Sequence, residues 1–414
     1  MKLSFVSNYF NHHQRPLCDA FAASKDVDFV FYQTEPMEEE RVRMGWGTDI
    51  SEYPYVKLWQ DDVEAARKRI LDSDVVIWGG VEMEEEIEPR LQAGKLTFRY
   101  SERLYKEGQW KFISPRGLKK KYHDHTQYRK SPVYLLCAGA YVGSDFNLIR
   151  AYPKKKFMWG YFPETKHYDK EELLGMKSRE GEPLRLLWAG RMISWKHPEL
   201  AVETAEKLMY GDKRFTPGLV EKLKEQGGFT LTMAGGGEME EELRRMVKDK
   251  GLEDVVHFTG FMKPGEIRAE MEKADIFLFT SDGKEGWGAV LNEAMNSGCL
   301  VITGPEPGAV PYMIQHGRNG MLCIPNAMDF AGMAFWVASE REDRHEQAWH
   351  AYETVTKYWN AENAAAQFLR VAREILDKGS FTYAEEDNES RDFQPMCRDR
   401  EVRPAQGGRL VHRR

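Results

Sequence analysis

The sequence predicts an α/β fold made of two consecutive doubly wound domains, each with a parallel sheet. Short apolar runs recur along the chain and end at glycines or polar loops, with helix-sized intervals between them. This is the pattern of buried parallel strands. The pattern stops near residue 165 and restarts at Leu184. A chain of 414 residues is long enough for two domains of ordinary size.

The first domain is expected over residues 1–165. Its predicted strands are Lys2–Ser7, Val27–Tyr32, Val75–Trp78 and Val133–Cys137. A helix is predicted to begin near Pro16, because proline is tolerated in the first turn of a helix. Residues 166–183 are charged and poor in β-branched side chains, which indicates a linker between the two domains.

The second domain is expected over residues 184–345. Its predicted strands are Leu184–Ala189, Phe229–Ala234, Val255–Phe258, Ile276–Phe279 and Leu300–Ile302. Residues 346–378 are predicted to form a helical crossover segment that ends at Gly379, since glycine favours the end of a helix. Residues 379–414 are rich in charge and poor in large apolar side chains, so we expect them to be disordered.

Composition limits the classes of function. The formal net charge of −7 argues against a nucleic-acid-binding surface. The five cysteines are scattered and form no Cys-x-x-Cys pair, so neither a disulfide framework nor a metal site is expected. The first apolar run, Leu3–Val6, is too short for a signal peptide, and no stretch approaches the ~20 apolar residues of a membrane span. We expect a cytoplasmic protein without a cofactor.

A glycine-containing turn in the second domain is the most informative segment. Gly286 and Gly288 follow an apolar strand and precede a helix predicted over Ala289–Asn296. Glycines let backbone amides approach a ligand, and a helix N-terminus carries partial positive charge, so the turn suits an anionic phosphate. Glu285 and Glu293 bracket the turn and are placed to face one ligand. The alternative is that Glu285 complements the helix dipole and Glu293 is solvated.

Two other strand ends in this domain carry residues that suit phosphate. Arg191 and Lys196 follow one apolar strand, where two cations would neutralise a diphosphate. Gly235 and Gly236 follow another strand and open a helix, although they lack the spacing of a dinucleotide-binding fingerprint. Each feature alone is weak.

In this order, the segments Gly190–Lys196, Ala234–Gly237, Phe258–Phe261 and Glu285–Glu293 resemble retaining glycosyltransferase family four, which has the GT-B fold. The segment Tyr358–Asn363, which leads into an amphipathic helix, is similar to that family's C-terminal helix, which returns to the N-terminal domain. The resemblance covers residues 184–376 well and is weaker before them. It implies two Rossmann-like domains that face each other across a cleft.

The resemblance also implies roles for individual residues. Arg191 and Lys196 would bind the diphosphate of a nucleotide sugar, and Glu285 would contact the hydroxyls of the transferred hexose. Glu293 would bind the ribose, and the nucleobase would lie near Phe261. The other donor-binding positions are Gly286, Trp287, Gly288, Ala289, Val290, Gly235 and Gly236. Neither a metal nor a carboxylate nucleophile is implied, because a phosphate oxygen of the donor would accept the proton of the acceptor.

The acceptor is expected to bind at the first domain. The segment Ser7–Gln14 and the segment Tyr100–Arg103 are similar to a subgroup from bacterial polysaccharide clusters, whose acceptors are glycans or lipid-linked sugars. The candidate acceptor-side residues are Asn11, His12, His13, Glu102 and Arg103. The alternative for the two histidines is an exposed loop pair without a role.

Residues 90–130 form a basic segment, with twelve Lys or Arg and three Asp or Glu. Trp110, Phe112 and Ile113 are interspersed among them. Anionic lipid headgroups attract such a segment, by about 1 kcal/mol for each well-placed cation. One hypothesis is therefore docking at the inner membrane leaflet, where a lipid-linked acceptor would be found. The other is a solvated basic face.

Two other classes of function compete with a glycosyltransferase. One is a nucleotide-sugar epimerase of the same fold, against which the pair Glu285 and Glu293 argues. The other is a non-catalytic nucleotide-sugar-binding protein, although Arg191, Lys196 and Glu285 are all present. A dehydrogenase is disfavoured, because no glycine fingerprint follows the first strand.

Overall fold

The computed structural model describes residues 1–37, 47–213, 217–381 and 394–404. The chain divides into two compact units. The first unit comprises residues 1–164 together with 360–414, and the second comprises residues 165–359. Among the described residues, no helix combines the length and the apolar composition that crossing a bilayer requires.

The first unit contains a seven-stranded parallel sheet in the order β3-β2-β1-β4-β5-β6-β7. Its strands are β1 (Lys2–Ser7), β2 (Asp28–Gln33), β3 (Val56–Leu58), β4 (Val75–Gly79), β5 (Thr97–Ser101), β6 (Val133–Ala138) and β7 (Lys156–Trp159). The helices are α1 (Arg15–Ala22), α2 (Val63–Asp72), α3 (Glu84–Gln92), α4 (Pro115–Asp124) and α5 (Val142–Leu148). The strand order reverses between β1 and β4, so the loops that follow these strands diverge.

Strands β3, β5 and β7 were not predicted from the sequence. Each of the three contains a charged residue, and β3 is only three residues long. A charged residue is not expected in a buried strand. Arg99 in β5 is buried and makes two hydrogen bonds to Glu84, of 2.9 and 2.6 Å. Lys156 in β7 is buried, and its Nζ donates to Asn147 Oδ1 at 2.8 Å. A charge can occupy a buried strand when a remote polar group satisfies it.

The second unit contains a six-stranded parallel sheet in the order β10-β9-β8-β11-β12-β13. Its strands are β8 (Leu184–Ala189), β9 (Phe229–Ala234), β10 (Val256–Gly260), β11 (Ile276–Phe279), β12 (Leu300–Thr303) and β13 (Met321–Leu322). Its helices are α6 (Lys170–Gly175), α7 (Pro198–Tyr210), α8 (Pro217–Glu225), α9 (Glu240–Asp249), α10 (Pro264–Lys273), α11 (Val290–Asn296), α12 (Val310–Met313), α13 (Ala327–Ser339) and α14 (Arg341–Lys357). The prediction of two doubly wound parallel-sheet domains is confirmed.

The segment predicted as a linker differs from that prediction in the structure. Residues 166–183 contain α6 and belong to the second unit. Lys177 is buried, and its Nζ donates to three backbone carbonyls, those of Met271, Ala274 and Ser297. At least one charged residue of this segment, Lys177, is therefore buried and hydrogen-bonded inside the second unit. The composition of the segment does not reveal this.

The C-terminal helix α15 (Ala361–Lys378) belongs to the first unit, in agreement with a helix that returns there. Residues 346–357 of the predicted crossover segment instead belong to α14 of the second unit. Phe368 packs against Phe21 and Phe98, with ring centroids 5.4 and 4.7 Å apart. Gly379 ends the helix with φ +75°, and its amide donates to Ile375 O at 2.8 Å. This is the left-handed C-terminal conformation that favours glycine.

Residues 394–404 extend along the edge strand β7. The amide of Met158 donates to Cys397 O at 2.8 Å, and the amide of Met396 donates to Met158 O at 2.9 Å. Met396 and Asp399 are buried. This arrangement differs from the disorder predicted for residues 379–414, because pairing with a sheet edge depends on backbone groups and not on apolar composition. Residues 382–393 and 405–414 of that prediction lie outside the described residues.

Candidate donor-binding site

The candidate donor site lies at the reversal of strand order in the second unit. Strands β8 and β11 are neighbours there, with β9 on one side and β12 on the other. Residues Gly190–His197 follow β8, and residues Thr280–Ala289 follow β11. In open parallel sheets, ligands bind outside the carboxyl ends of the strands at such a reversal.

Lys196 and Glu285 meet at this point. Lys196 Nζ lies 2.5 Å from Glu285 Oε2, and the two side chains are only 15% and 17% exposed. Ser281 Oγ donates to the same Glu285 oxygen at 3.2 Å. The structure therefore brings together a cation and a carboxylate that are 89 residues apart in the sequence.

Additional hydrogen bonds tie the two loops together. Thr280 Oγ1 donates to Lys196 O at 2.6 Å and accepts from Trp188 Nε1 at 2.9 Å. The amide of Asp282 donates to Trp195 O at 2.9 Å. The sequence pattern assigns no role to Thr280 or Asp282. Both residues lie just after the apolar strand β11, and this position was the one feature of the sequence that could have pointed to the site.

The glycine turn presents mainly backbone to the site. Gly286, Trp287 and Gly288 are buried. Gly288 has φ +92°, and a Cβ there would lie 2.6 Å from Phe279 Cζ, so the turn requires glycine. The turn leads into α11, whose first residue is Val290, next to Ala289.

The side chain of Trp287 is part of the core and not of the ligand surface. It is 1% exposed, and its Nε1 donates to Asn292 Oδ1 at 2.9 Å. Its ring lies 5.3 Å from that of Trp359. Any contact of Trp287 with a donor would therefore use its backbone.

Glu293 lies on α11 with its carboxyl group in a poorly solvated position. Burial raises the pKa of Glu293, and the charge of Arg268 partly offsets this effect. The guanidinium of Arg268 is itself bonded to Asn296 Oδ1 at 2.7 Å. Within the described part of the chain, the Glu293 carboxyl has no hydrogen-bond donor, which suits a group that binds hydroxyls of a ligand.

The remaining donor-side residues lie at the ends of β8, β9 and β10. The amide of Met192 donates to Gly236 O at 2.8 Å, which joins the Arg191 loop to the glycines after β9. Gly235 has φ +123°, and a Cβ there would lie 1.9 Å from Gly190 O. Phe261 is 62% exposed and lies beside Gly236, where a Cβ would be 2.9 Å from its ring. The loop after β9 can approach Gly190 and Phe261 this closely because residues 235 and 236 are glycines.

Arg191 does not take part in the ion pair of Lys196. Its side chain is exposed, and the guanidinium lies 5.9 Å from the centre of the Trp195 ring. Arg191 thus extends from the same loop as Lys196 but remains in solvent.

The acceptor-side candidates lie in the first unit and fall into two groups. His13, Tyr161 and Glu102 are near one another: the rings of His13 and Tyr161 are 6.4 Å apart, and Tyr161 Oη donates to Glu102 Oε1 at 2.9 Å. Glu102 also pairs with Lys106. Burial, with a smaller effect of Arg15, lowers the pKa of His12 to about 4, so His12 is neutral at pH 7.

Asn11 and Arg103 have structural partners. Asn11 Oδ1 accepts from the amides of His13 and Gln14, at 2.9 and 3.2 Å, just before α1 begins. Arg103 Nε lies 3.4 Å from Asp145 Oδ2, and the two side chains are 6% and 0% exposed. Their surroundings explain both residues without an acceptor.

The basic segment 90–130 is not one continuous surface. Arg90, Arg99 and Arg103 are buried or nearly so. The guanidinium of Arg90 donates to the carbonyls of Ile70, Ser73, Asp74 and Leu96. A count of charges cannot separate such structural arginines from exposed cations.

A family model described as "Glycosyl transferases group 1" matches residues 169–354, so the chain carries a domain of that group. The amylovoran biosynthesis glycosyltransferase AmsK of Erwinia amylovora is 33% identical over 159 residues, which are 36% of this chain and 35% of that protein. The GDP-mannose-dependent alpha-(1-6)-phosphatidylinositol monomannoside mannosyltransferase of Mycobacterium tuberculosis is 31% identical over 153 residues, 34% of this chain and 40% of that protein. The match thus spans well under half of the length of these relatives.

Solved structures agree with the fold over almost the whole chain. The structure of Anabaena HepE in complex with UDP has a TM-score of 0.64 and 13% identity, and covers 90% of this chain and 100% of that chain. A glycosyltransferase from Rickettsia africae has a TM-score of 0.62 and 15% identity, and covers 91% of this chain and 98% of that chain. These similarities show the two-domain GT-B fold.

Proposed function

We propose that this chain, which carries a glycosyltransferase group 1 domain over residues 169–354, is a retaining glycosyltransferase. It transfers a hexose from a nucleotide-diphosphate sugar to a glycan or lipid-linked acceptor in the synthesis of a cell-surface polysaccharide. The observation that carries the proposal is the contact of Lys196 with Glu285 at the strand-order reversal, 2.5 Å between Nζ and Oε2.

The donor site supports this chemistry because it brings together two kinds of group. Lys196 and Arg191 supply positive charge, which suits a diphosphate. Glu285 accepts hydrogen bonds, which suits the hydroxyls of a sugar. Relatives named for polysaccharide biosynthesis support a role in polysaccharide synthesis. Structural neighbours with bound UDP and UDP-glucose support a nucleotide sugar as the donor.

The proposed mechanism is the one that the resemblance to retaining glycosyltransferase family four implies. The bond between the anomeric carbon and the diphosphate oxygen breaks, and its electron pair stays on the diphosphate. Lys196 and Arg191 stabilise that charge, and the sugar passes through an oxocarbenium-like state. The acceptor hydroxyl forms its new bond on the same face, and its proton moves to a phosphate oxygen. No carboxylate nucleophile is required, so the role of Glu285 is to orient the sugar.

A panel of UDP- and GDP-sugars tests the proposal. The purified protein should be stabilised against heating by one nucleotide and should hydrolyse its sugar slowly without an acceptor. Replacement of Lys196 by methionine should weaken donor binding by about tenfold or more, since a charge-assisted contact to a phosphate is lost. Release of an isomerised nucleotide sugar would indicate an epimerase, and binding without hydrolysis or transfer would indicate a non-catalytic protein.

We also propose that the enzyme works in the cytoplasm, docked at the inner leaflet through the surface of Gln109–Asp124, a narrower surface than residues 90–130. Trp110, Ile113 and Tyr122 are 68%, 64% and 61% exposed there. Arg116 and Lys119 are exposed beside them on α4. Aromatic and aliphatic side chains next to cations are the composition that binds the interface of an anionic bilayer.

Changing Arg116 and Lys119 together to glutamate should reduce binding to anionic phospholipid vesicles by tenfold or more, at about 1 kcal/mol for each lost cation. Sedimentation with vesicles measures this binding, and neutral vesicles should bind poorly. Lys25 and Lys68, which are exposed elsewhere on the first unit, provide a control with the same change in net charge. An equal loss of vesicle binding in the Arg116/Lys119 variant and in the Lys25/Lys68 variant would refute a localised docking surface.

A further inference from the structure

We infer that His197 is a positioning residue that holds the two loops of the donor site together. For its effect on donor binding, this inference rests on the proposed function. His197 directly follows Lys196 and is the last residue before α7. Its partner across the site, Asp282, lies three residues before Glu285.

The imidazole of His197 lies between two carboxylates. Its Nδ1 is 2.8 Å from Glu199 Oε1, and its Nε2 is 3.5 Å from Asp282 Oδ2. Carboxylate oxygens only accept hydrogen bonds, so both ring nitrogens can donate only when both carry a proton. The geometry therefore fits a positively charged ring that links the loop after β8 to the loop after β11.

The backbone of His197 gives independent support. Its φ and ψ are 47° and 53°, in the left-handed region. A side chain is crowded in this conformation, and glycine adopts it most readily. A residue in such a conformation persists when its surroundings compensate for the strain, and strained residues of this kind cluster at functional sites. Here the two carboxylates provide the compensating contacts.

The charges around His197 come from three elements. Glu199 lies on α7, Asp282 on the loop after β11 and Glu306 on the loop after β12; Lys284 also acts on Asp282. Hydrogen bonds to Asp282 and then Glu199 raise the pKa of His197 from 6.5 to about 9. A raised pKa means that the ion pairs contribute fully below about pH 6.5. Their contribution is lost as the pH rises through about 9.

The position of Lys196 depends on these links. The next residue, His197, is fixed to Asp282, whose amide is bonded to Trp195 O at 2.9 Å. Three consecutive residues, Trp195–His197, are thus attached to the loop that carries Glu285. Loss of the imidazolium would leave the attachment to the neutral hydrogen bonds and to the Lys196–Glu285 ion pair itself. Lys196 and Glu285 would then separate more often.

Two variants separate positioning from stability. His197→Gly removes the ring and relieves the backbone, and His197→Asn keeps a residue that tolerates the left-handed conformation but has no charge. We expect both to fold with an unfolding temperature within about 4 °C of that of the unmodified protein, because relief of the strained backbone offsets part of the lost ion pairs. The KM for the donor at pH 7.5 should rise by about tenfold with little change in kcat. Amide exchange at Asp282 should become faster in both.

The pH dependence provides a readout that a purely structural role would not change. The ratio of KM between the His197→Asn variant and the unmodified protein should fall toward one as the pH rises through about 9. His257→Asn, a change of an exposed histidine on β10, is the matched control and should leave KM unaltered.

Unchanged exchange at Asp282, or an unchanged donor KM in both His197 variants, would overturn the inference. The exchange measurement needs no nucleotide. If the unmodified protein bound no nucleotide sugar, the proposed function would fail, while exchange at Asp282 would still decide whether His197 joins the loops.

Discussion

Replacing Glu285 with glutamine is expected to lower kcat for sugar transfer by about 10³-fold, comparable to the loss of a charged group that orients a transition state. Glutamine preserves the size of the side chain but removes its negative charge. The partner of Lys196 at 2.5 Å then loses its negative charge, and the sugar hydroxyls lose a charged acceptor. Steady-state transfer with the donor identified by the nucleotide-sugar panel measures this effect.

The fold should survive this substitution. Glu285 is 17% exposed and shares its oxygen with Ser281, which can still donate to the glutamine oxygen. We expect an unfolding temperature within about 4 °C of the unmodified protein. Glu353→Gln is the control, because it removes a similar pair, Glu353 with Lys357 on α14, away from the two loops. Full activity of Glu285→Gln would show that the site is elsewhere.

Replacing Gly235 with alanine is expected to disrupt both the stability of the second unit and the binding of the donor. Gly235 has φ +123°, and an added Cβ would lie 1.9 Å from Gly190 O, which is backbone and cannot rotate away. The loops after β8 and β9 would therefore have to separate. The unfolding temperature should fall by about 5–10 °C, as for strained substitutions that cost several kcal/mol.

Donor affinity should fall as well, because the same movement would shift the loop that carries Lys196. Thermal unfolding and calorimetric titration with the preferred nucleotide measure the two effects. Gly265→Ala is the matched control: Gly265 lies in α10, and a Cβ there would meet nothing within 4 Å. If both substitutions changed the unfolding temperature and the donor affinity equally and only slightly, the close approach of the loops after β8 and β9 would be contradicted.

The sequence predicted the strands that are continuous apolar runs. Strands β4, β11 and β12 are of this kind, and their bounds agree closely with the structure. Strand β5 was missed because Arg99 lies at its centre between polar ends, Thr97 and Ser101. The arginine is accommodated by hydrogen bonds to Glu84 and to the carbonyl of Asp124. No local pattern reports such a remote partner, so charged buried strands escape prediction.

The candidate site was predictable to a similar extent. Lys196 and Glu285 follow apolar strands and have residue types that suit a phosphate and a sugar, so the sequence pointed to both. Thr280 and His197 were missed. Their roles depend on a bond to a distant carbonyl and on a left-handed backbone conformation, and neither property is visible in the residue type.

The central claim is that the loops after β8 and β11 bind the diphosphate of a nucleotide sugar. A crystal structure of the protein with the donor identified by the panel tests it most directly. We expect the diphosphate within hydrogen-bonding distance of Lys196 and of the backbone of Gly286–Val290, with sugar hydroxyls on the Glu285 carboxylate. A donor bound at any other place, with the Lys196–Glu285 contact undisturbed, would contradict the claim.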